Sequence, residues 1–159
     1  MSTGRLDRKG VIVACPQCAR ANRIAFGALD KTTRCGQCHT AIAAPDAPVE
    51  VDDAAAFDAA SAGALPLIVD FWAPWCGPCR MVAPELERLA RATAGRYLVV
   101  KVNTDEQTEL ASRFRIRSIP TLALVLNGQE IDRFAGARPA QEIQAFAERA
   151  LAAHQRRAS

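Results

Sequence analysis

Residues 69–80 read Val-Asp-Phe-Trp-Ala-Pro-Trp-Cys-Gly-Pro-Cys-Arg, an apolar strand with one acid that leads directly into two cysteines. A Cys-x-x-Cys at the start of a helix places Cys76 where unpaired backbone N–H groups and the helix dipole favour a thiolate. Cys79 lies one turn further on, within disulfide reach. The stretch predicts a dithiol/disulfide couple in which Cys76 attacks, although a bare Cys-x-x-Cys can also be half of a metal site.

The flanking residues resemble the thioredoxin family, and the resemblance covers roughly residues 49–153. The motifs that carry it are Val69-Asp70-Phe71-Trp72-Ala73, Trp75-Cys76-Gly77-Pro78-Cys79, Lys101-Val102-Asn103, Ile119-Pro120-Thr121, Asn127-Gly128 and Gly136-Ala137, in family order. The resemblance implies an α/β thioredoxin fold, a mixed five-stranded sheet flanked by helices. It also favours the redox interpretation of Cys76 and Cys79 over the metal site.

Family likeness implies a protein-disulfide reductase in which Cys76 attacks a substrate disulfide and Cys79, expected to be the more buried sulfur, resolves the mixed disulfide. Between them, Gly77 and Pro78 form a stiff turn without a histidine, which favours a reductant over an oxidant. Asp70 stands alone in an apolar strand, so burial should raise its pKa and let it accept the Cys79 proton through a water.

Several further roles follow from the same resemblance. Lys101 on the next strand would pair with Asp70, which could also make that acid purely structural. Pro120 would be cis and would present the backbone of Ile119 and Thr121 to an extended substrate strand. Trp75 would form one wall of the substrate groove.

The chain contains no flavin or nicotinamide fingerprint, so electrons are expected to come from another protein. By resemblance this partner is an NADPH-dependent thioredoxin reductase, and the substrates are proteins that contain disulfides. In this sequence Pro74 precedes Trp75 where many family members carry an acidic or small residue, which bears on surface recognition and not on the chemistry.

Two further cysteine pairs precede this region: Cys15 with Cys18, and Cys35 with Cys38. The spacing is typical of a four-cysteine zinc site, in which each pair forms a tight knuckle. Two redox disulfides are the alternative. His39 directly follows the last cysteine and is interpreted as a flanking residue, with a ligand role as the alternative.

A thioredoxin-like region preceded by two such pairs resembles the zinc-containing second thioredoxin of bacteria. We therefore predict an N-terminal zinc module, residues 1–44, and a thioredoxin domain, residues 45–159, joined by a Pro- and Ala-rich linker. Residues 1–10 are polar and are expected to be a tail. If the linker separates two cores, removal of residues 1–44 should leave disulfide reduction largely intact.

The composition of the chain indicates its cellular compartment and the classes of partner that it can bind. The 159 residues carry a formal charge of +3, and the excess of basic residues lies in the N-terminal module. That module is poor in aromatic side chains, which argues against nucleic-acid binding because proteins that bind single strands stack the bases on aromatic side chains. No apolar run approaches a membrane span. Six cysteines, all in Cys-x-x-Cys pairs, fit a reducing compartment, so the protein is predicted to be cytoplasmic.

A second function class stays open. A zinc ribbon could bind protein or nucleic acid while the thioredoxin fold serves as a holdase or an interaction module. The joint presence of the cysteine pair, Asp70 and Pro120 favours the enzyme, because a binding protein does not need these three features together.

The pattern of the remaining chain predicts strands and helices in the order of an α/β fold. A central strand over 66–73 leads into an amphipathic helix from Cys76 to about residue 94, with Pro84 inside it. Thr104 and Gln107 are interpreted as a capping box for a short helix. A hairpin with an Asn-Gly turn and a final helix from Pro139 complete the prediction.

Overall fold

The computed structural model describes residues 4–158, and expectations for residues 1–3 and 159 lie outside this range. Its strands are β1 (Gly4–Leu6), β2 (Gly10–Ala14), β3 (Ala21–Ala25), β4 (Thr33–Arg34), β5 (Ala41–Ile42), β6 (Val49–Val51), β7 (Leu67–Trp72), β8 (Leu98–Asn103), β9 (Thr121–Leu126) and β10 (Gln129–Ala135). The helices are α1 (Ala54–Ser61), α2 (Gly77–Ala92), α3 (Thr108–Arg113) and α4 (Ala140–Ala158). Within residues 4–158 no helix is long and apolar enough to cross a membrane.

Eight strands form one mixed sheet in the order β10-β9-β7-β8-β6-β1-β2-β3. The central strand β7 is parallel to β8 and antiparallel to β9, and β6 is parallel to β8. The predicted five-stranded mixed sheet is therefore present as β6 to β10. Three N-terminal strands extend it on the β6 side.

Strand β7 is apolar on both faces because helices cover both sides of the sheet. Ile68 packs on one face with Leu86 of α2 and Phe146 of α4. Val69 packs on the opposite face with Phe57 of α1. The sheet thereby holds the start of α2, and the cysteines in it, at the carboxyl end of its central strand.

The N-terminal module shares the core of the rest of the chain. Strand β1 runs parallel to β6, with Leu6 opposite Val51. Buried Leu6 and Leu29 belong to the same apolar cluster as Phe57 and Val69. The expected separation into two cores is therefore not observed, while the division at residue 44 stays a prediction.

Two local expectations are also wrong. The polar N-terminus is not a tail over residues 4–10, because β1 pairs with both β2 and β6, which gives the β6 edge a partner. Thr104 does not cap a helix: its N–H and Oγ1 both donate to the Trp72 carbonyl, at 2.8 and 3.1 Å. Helix α3 begins four residues later, and Gln107 precedes it without a side-chain cap.

Candidate redox site and four-cysteine cluster

Cys76 and Cys79 form a disulfide at the start of α2, with their Cα atoms 5.3 Å apart. Cys76 is the N-cap of this helix, and its Sγ accepts a hydrogen bond from the Cys79 N–H at 3.2 Å. Pro78 in the first turn lacks an N–H that would otherwise have no helical partner there. The two cysteines are buried alike, 4% and 5% exposed, so the expectation that Cys79 is the more buried is not met in this oxidised state.

A loop before β9 lies against these sulfurs. The Ile119–Pro120 peptide bond is cis, and the Ile119 carbonyl oxygen lies 3.7 Å from the Cys76 Sγ. Thr121 donates its hydroxyl to the Ser118 carbonyl at 2.6 Å, and the Pro120 carbonyl accepts from the Gly136 N–H at 2.9 Å. These bonds hold an extended backbone segment beside the disulfide.

Two large apolar side chains are exposed near the disulfide. Trp75 is 68% exposed and donates its indole N–H to Asp105 at 3.3 Å. Met81, on the exposed side of α2, is 71% exposed. Sequence reasoning did not find Asp105 or Met81, because neither stands out in a local pattern. Trp75 and Met81 thus each expose a large apolar side chain on the chain segment that carries the disulfide.

Asp70 lies buried in β7, only 1% exposed. Burial raises the pKa of Asp70 to about 7, the charge of Lys101 acts against this rise, and the charge of Glu50 adds to it. Asp70 Oδ1 has no hydrogen-bond partner within the described chain. Lys101 is opposite Asp70 in the sheet, but its ammonium lies over the Trp72 ring, 4.4 Å from the centroid.

The four N-terminal cysteines converge on one point. Their Sγ atoms all lie within 4.8 Å of one another, and the distances from Cys15 to Cys38 and from Cys18 to Cys35 are both 3.6 Å. Four sulfurs each about 2.3 Å from a zinc ion would be roughly 3.8 Å apart in a tetrahedron. The donor set and its spacing therefore fit a metal ion.

The two cysteine pairs have the same backbone conformation. The N–H of Cys15 donates to the Arg20 carbonyl at 2.8 Å, and the N–H of Cys35 donates to the Thr40 carbonyl at 2.9 Å. In each knuckle the residue after the second cysteine has a positive φ, 64° at Ala19 and 63° at His39. His39 thus occupies the turn position that Ala19 occupies in the other knuckle. It does not belong to the group of candidate metal ligands found among residues 4–158.

Asn22 connects the two knuckles. Its Nδ2 donates to the Arg20 carbonyl at 2.9 Å and lies 3.5 Å from the Cys35 Sγ. Its Oδ1 accepts from the Gly36 N–H at 3.0 Å. Groups that hydrogen-bond to metal ligands orient them for binding, so the side chain of Asn22 contributes to the same site.

Comparison with known proteins places this geometry in one family. The thioredoxin family model matches residues 48–149. Thioredoxin C-3 of Corynebacterium nephridii is 35% identical over 142 residues, 89% of this chain and 96% of that protein. Thioredoxin 1 of Nostoc sp. is 56% identical over 75 residues, which cover 47% of this chain and 70% of that protein.

Solved structures agree with the sequence matches. The thioredoxin of Malassezia sympodialis superposes with a TM-score of 0.61 at 30% identity, covering 71% of this chain and 97% of that one. A mutant thioredoxin from Halobacterium salinarum gives a TM-score of 0.62 at 33% identity, covering 67% and 93%. The Corynebacterium match covers more of this chain than the family model does, so it extends into the N-terminal module.

Proposed function

The chain belongs to the thioredoxin family and is a thiol-disulfide oxidoreductase, and we propose that it is a protein-disulfide reductase. The observation that carries the proposal is the position of Cys76. Its sulfur caps α2, accepts a backbone N–H and lies beside the Ile119 carbonyl. The helix N-terminus favours a thiolate there, and the adjacent extended backbone can pair with a substrate strand.

In the proposed reaction the Cys76 thiolate attacks one sulfur of a substrate disulfide. A bond forms between Cys76 and that sulfur, and the other substrate sulfur leaves as a thiolate that takes a proton from water. Cys79 then loses its proton and attacks the Cys76 sulfur, which releases the second substrate thiolate. The substrate gains two electrons, and the protein ends with the Cys76–Cys79 disulfide.

Asp70 is proposed to accept the Cys79 proton, through a water. A carboxyl whose pKa is about 7 is matched to proton transfer near neutral pH, and an unpartnered buried oxygen is free to accept it. Lys101 would moderate the cost of ionising Asp70. Trp75 and Met81 would contact the substrate protein through their exposed surface.

Family members generally receive electrons from a thioredoxin reductase, and we propose that an NADPH-dependent one serves this chain. We also propose a cytoplasmic location. Six cysteines, all in Cys-x-x-Cys pairs, support it, because reduced thiols persist in a reducing compartment.

We propose that the four-cysteine cluster of Cys15, Cys18, Cys35 and Cys38 holds one structural zinc ion. The convergence of four sulfurs at tetrahedral spacing supports this assignment. Backbone N–H groups of Gln17 and Gln37 lie 3.4 Å from the Cys15 and Cys35 sulfurs and would stabilise them as thiolates. Bound zinc would cross-link the two knuckles.

An insulin-reduction assay tests the proposed activity. We expect the full-length protein, supplied with a dithiol donor, to precipitate the insulin B chain at a rate proportional to its concentration. The matched control is the Cys76→Ser/Cys79→Ser protein, which should do no better than the donor alone. Equal rates for the two proteins would leave only a binding role for the fold.

Replacement of Asp70 by asparagine should slow turnover and stabilise the fold at alkaline pH. The pKa of Asp70 is raised from 3.8 to about 7 in the folded state, so its contribution to stability is complete below about pH 3.8 and is lost as the pH rises through about 7. Above that pH the buried charge costs up to about 4 kcal/mol, which asparagine removes. Urea unfolding at about pH 4 and about pH 9 measures the difference.

The same variant separates the catalytic role of Asp70 from a structural one. If Asp70 accepts the Cys79 proton, the pH profile of insulin reduction loses its inflection near neutral pH. An unchanged profile in a stabilised Asp70→Asn protein would reduce Asp70 to a structural acid.

A further inference from the structure

A row of ionisable residues crosses three neighbouring strands beside the redox site. Glu50 in β6 is opposite Lys101 in β8, and Lys101 is opposite Asp70 in β7. In-register residues on neighbouring strands project from the same face of a sheet. Lys101 therefore projects from the same face as the two acids and from the strand between theirs. Of the two acids, only Asp70 was found from the sequence.

Lys101 is the cation whose charge acts on Asp70. On the β9 side, the residue opposite Asp70 is the apolar Leu122. The charges that act on Asp70 are Lys101, which favours its ionised form, and Glu50, which opposes it. Glu50 is thus the negative group that competes with Asp70 for the same ammonium.

The surroundings of Glu50 are similarly short of positive charge. Arg5 of β1 is opposite Glu50, but its guanidinium binds Asp52, with contacts of 2.8 and 2.9 Å. Burial raises the pKa of Glu50, Lys101 acts against this rise, and Glu106 adds to it. The charge of Lys101 therefore acts on both Glu50 and Asp70.

We propose that Glu50 is a positioning residue for the disulfide reaction. Its carboxylate competes with Asp70 for the positive charge of Lys101, and Asp70 therefore stays a strong enough base to take the Cys79 proton near neutral pH. This inference rests on the proposed function. Removal of the Glu50 charge would lower the pKa of Asp70 in two ways. It would end the repulsion between the carboxylates and would leave Lys101 to Asp70 alone, and both changes stabilise ionised Asp70 and lower its pKa.

Carboxyl ¹³C NMR of the reduced, full-length, zinc-loaded protein tests the charge coupling directly. We expect Glu50→Gln to lower the pKa of Asp70 by about 1. Spectra of the Asp70→Asn protein identify the Asp70 resonance. The matched control is Glu106→Gln, which removes an exposed carboxylate whose charge acts on Glu50 and should change the pKa of Asp70 far less. Lys101→Gln should raise it.

Insulin reduction across the same pH range adds the catalytic readout. The inflection near neutral pH should move to lower pH in Glu50→Gln by the same amount as the Asp70 titration, and stay in place in Glu106→Gln. An unmoved Asp70 titration in Glu50→Gln, with the expected rise in Lys101→Gln, overturns the inference. This result does not depend on turnover, so it is distinguishable from failure of the wild-type protein to reduce insulin.

Discussion

A Cys79→Ser protein should accumulate stable mixed disulfides with its substrate proteins, and its turnover should fall to background. The substitution removes the sulfur that would attack Cys76, while the features that favour a Cys76 thiolate remain. Cys76 still caps α2, and the hydrogen bond to its sulfur comes from the backbone N–H of residue 79, which serine retains. The first attack therefore proceeds, and the second cannot.

Non-reducing electrophoresis and mass spectrometry of substrate mixtures measure this trapping. One substrate chain should be joined to each protein chain, through Cys76, and a dithiol should release it. The matched control is Cys76→Ser, which should trap none because Cys79 lies inside the helix start and lacks the N-cap position. Equal trapping by the two variants would show that the attacking and resolving sulfurs are wrongly assigned.

Loss of the four-cysteine site should lower the thermal stability of the whole protein. Metal binding in small four-ligand modules is worth roughly 10–16 kcal/mol, and here the module shares a sheet and a core with the redox domain. Buried Leu6, Val11 and Leu29 pack in the cluster that also contains Phe57. A side chain of this kind contributes about 1.5–3 kcal/mol when fully buried.

We therefore expect Cys15→Ser/Cys18→Ser to lose its zinc and to unfold several degrees below the wild type, with the redox domain affected. Removal of residues 1–44 should have the same effect, in contrast to the independence that the sequence suggested. Metal analysis with thermal unfolding, followed by near-UV dichroism of Trp72 and Trp75, measures both results. The matched control is His39→Asn, because asparagine tolerates the positive φ of this position; it should keep one zinc per chain.

Three results would contradict this account. Retention of one tightly bound zinc in Cys15→Ser/Cys18→Ser would mean that the metal lies elsewhere. An unchanged unfolding temperature in the zinc-free variant would mean that the strand pairing between β1 and β6 transmits no stability. Zinc loss in His39→Asn would restore the histidine as a ligand.

The local chemistry of this protein could be predicted from its sequence. Cys76 and Cys79 are three residues apart at the start of a helix, and a turn of helix brings such residues within disulfide reach whatever the rest of the chain does. Each cysteine knuckle is likewise closed by hydrogen bonds within six residues of chain. The sequence pattern predicted the strands of this region in their order along the chain, the family resemblance implied the thioredoxin fold, and the comparisons confirm that fold.

The pairing of strands that are far apart in the sequence could not be predicted from local patterns. The pairing of β1 with β6 joins residues more than forty positions apart, and no local pattern in Gly4–Leu6 indicates it. The same pairings set Glu50, Lys101 and Asp70 in one row. Sequence therefore determined which groups can carry the chemistry, because bond geometry acts over a few residues. Tertiary structure alone decided that the charge of Glu50 acts on Asp70, because Coulomb interactions depend on distance in space.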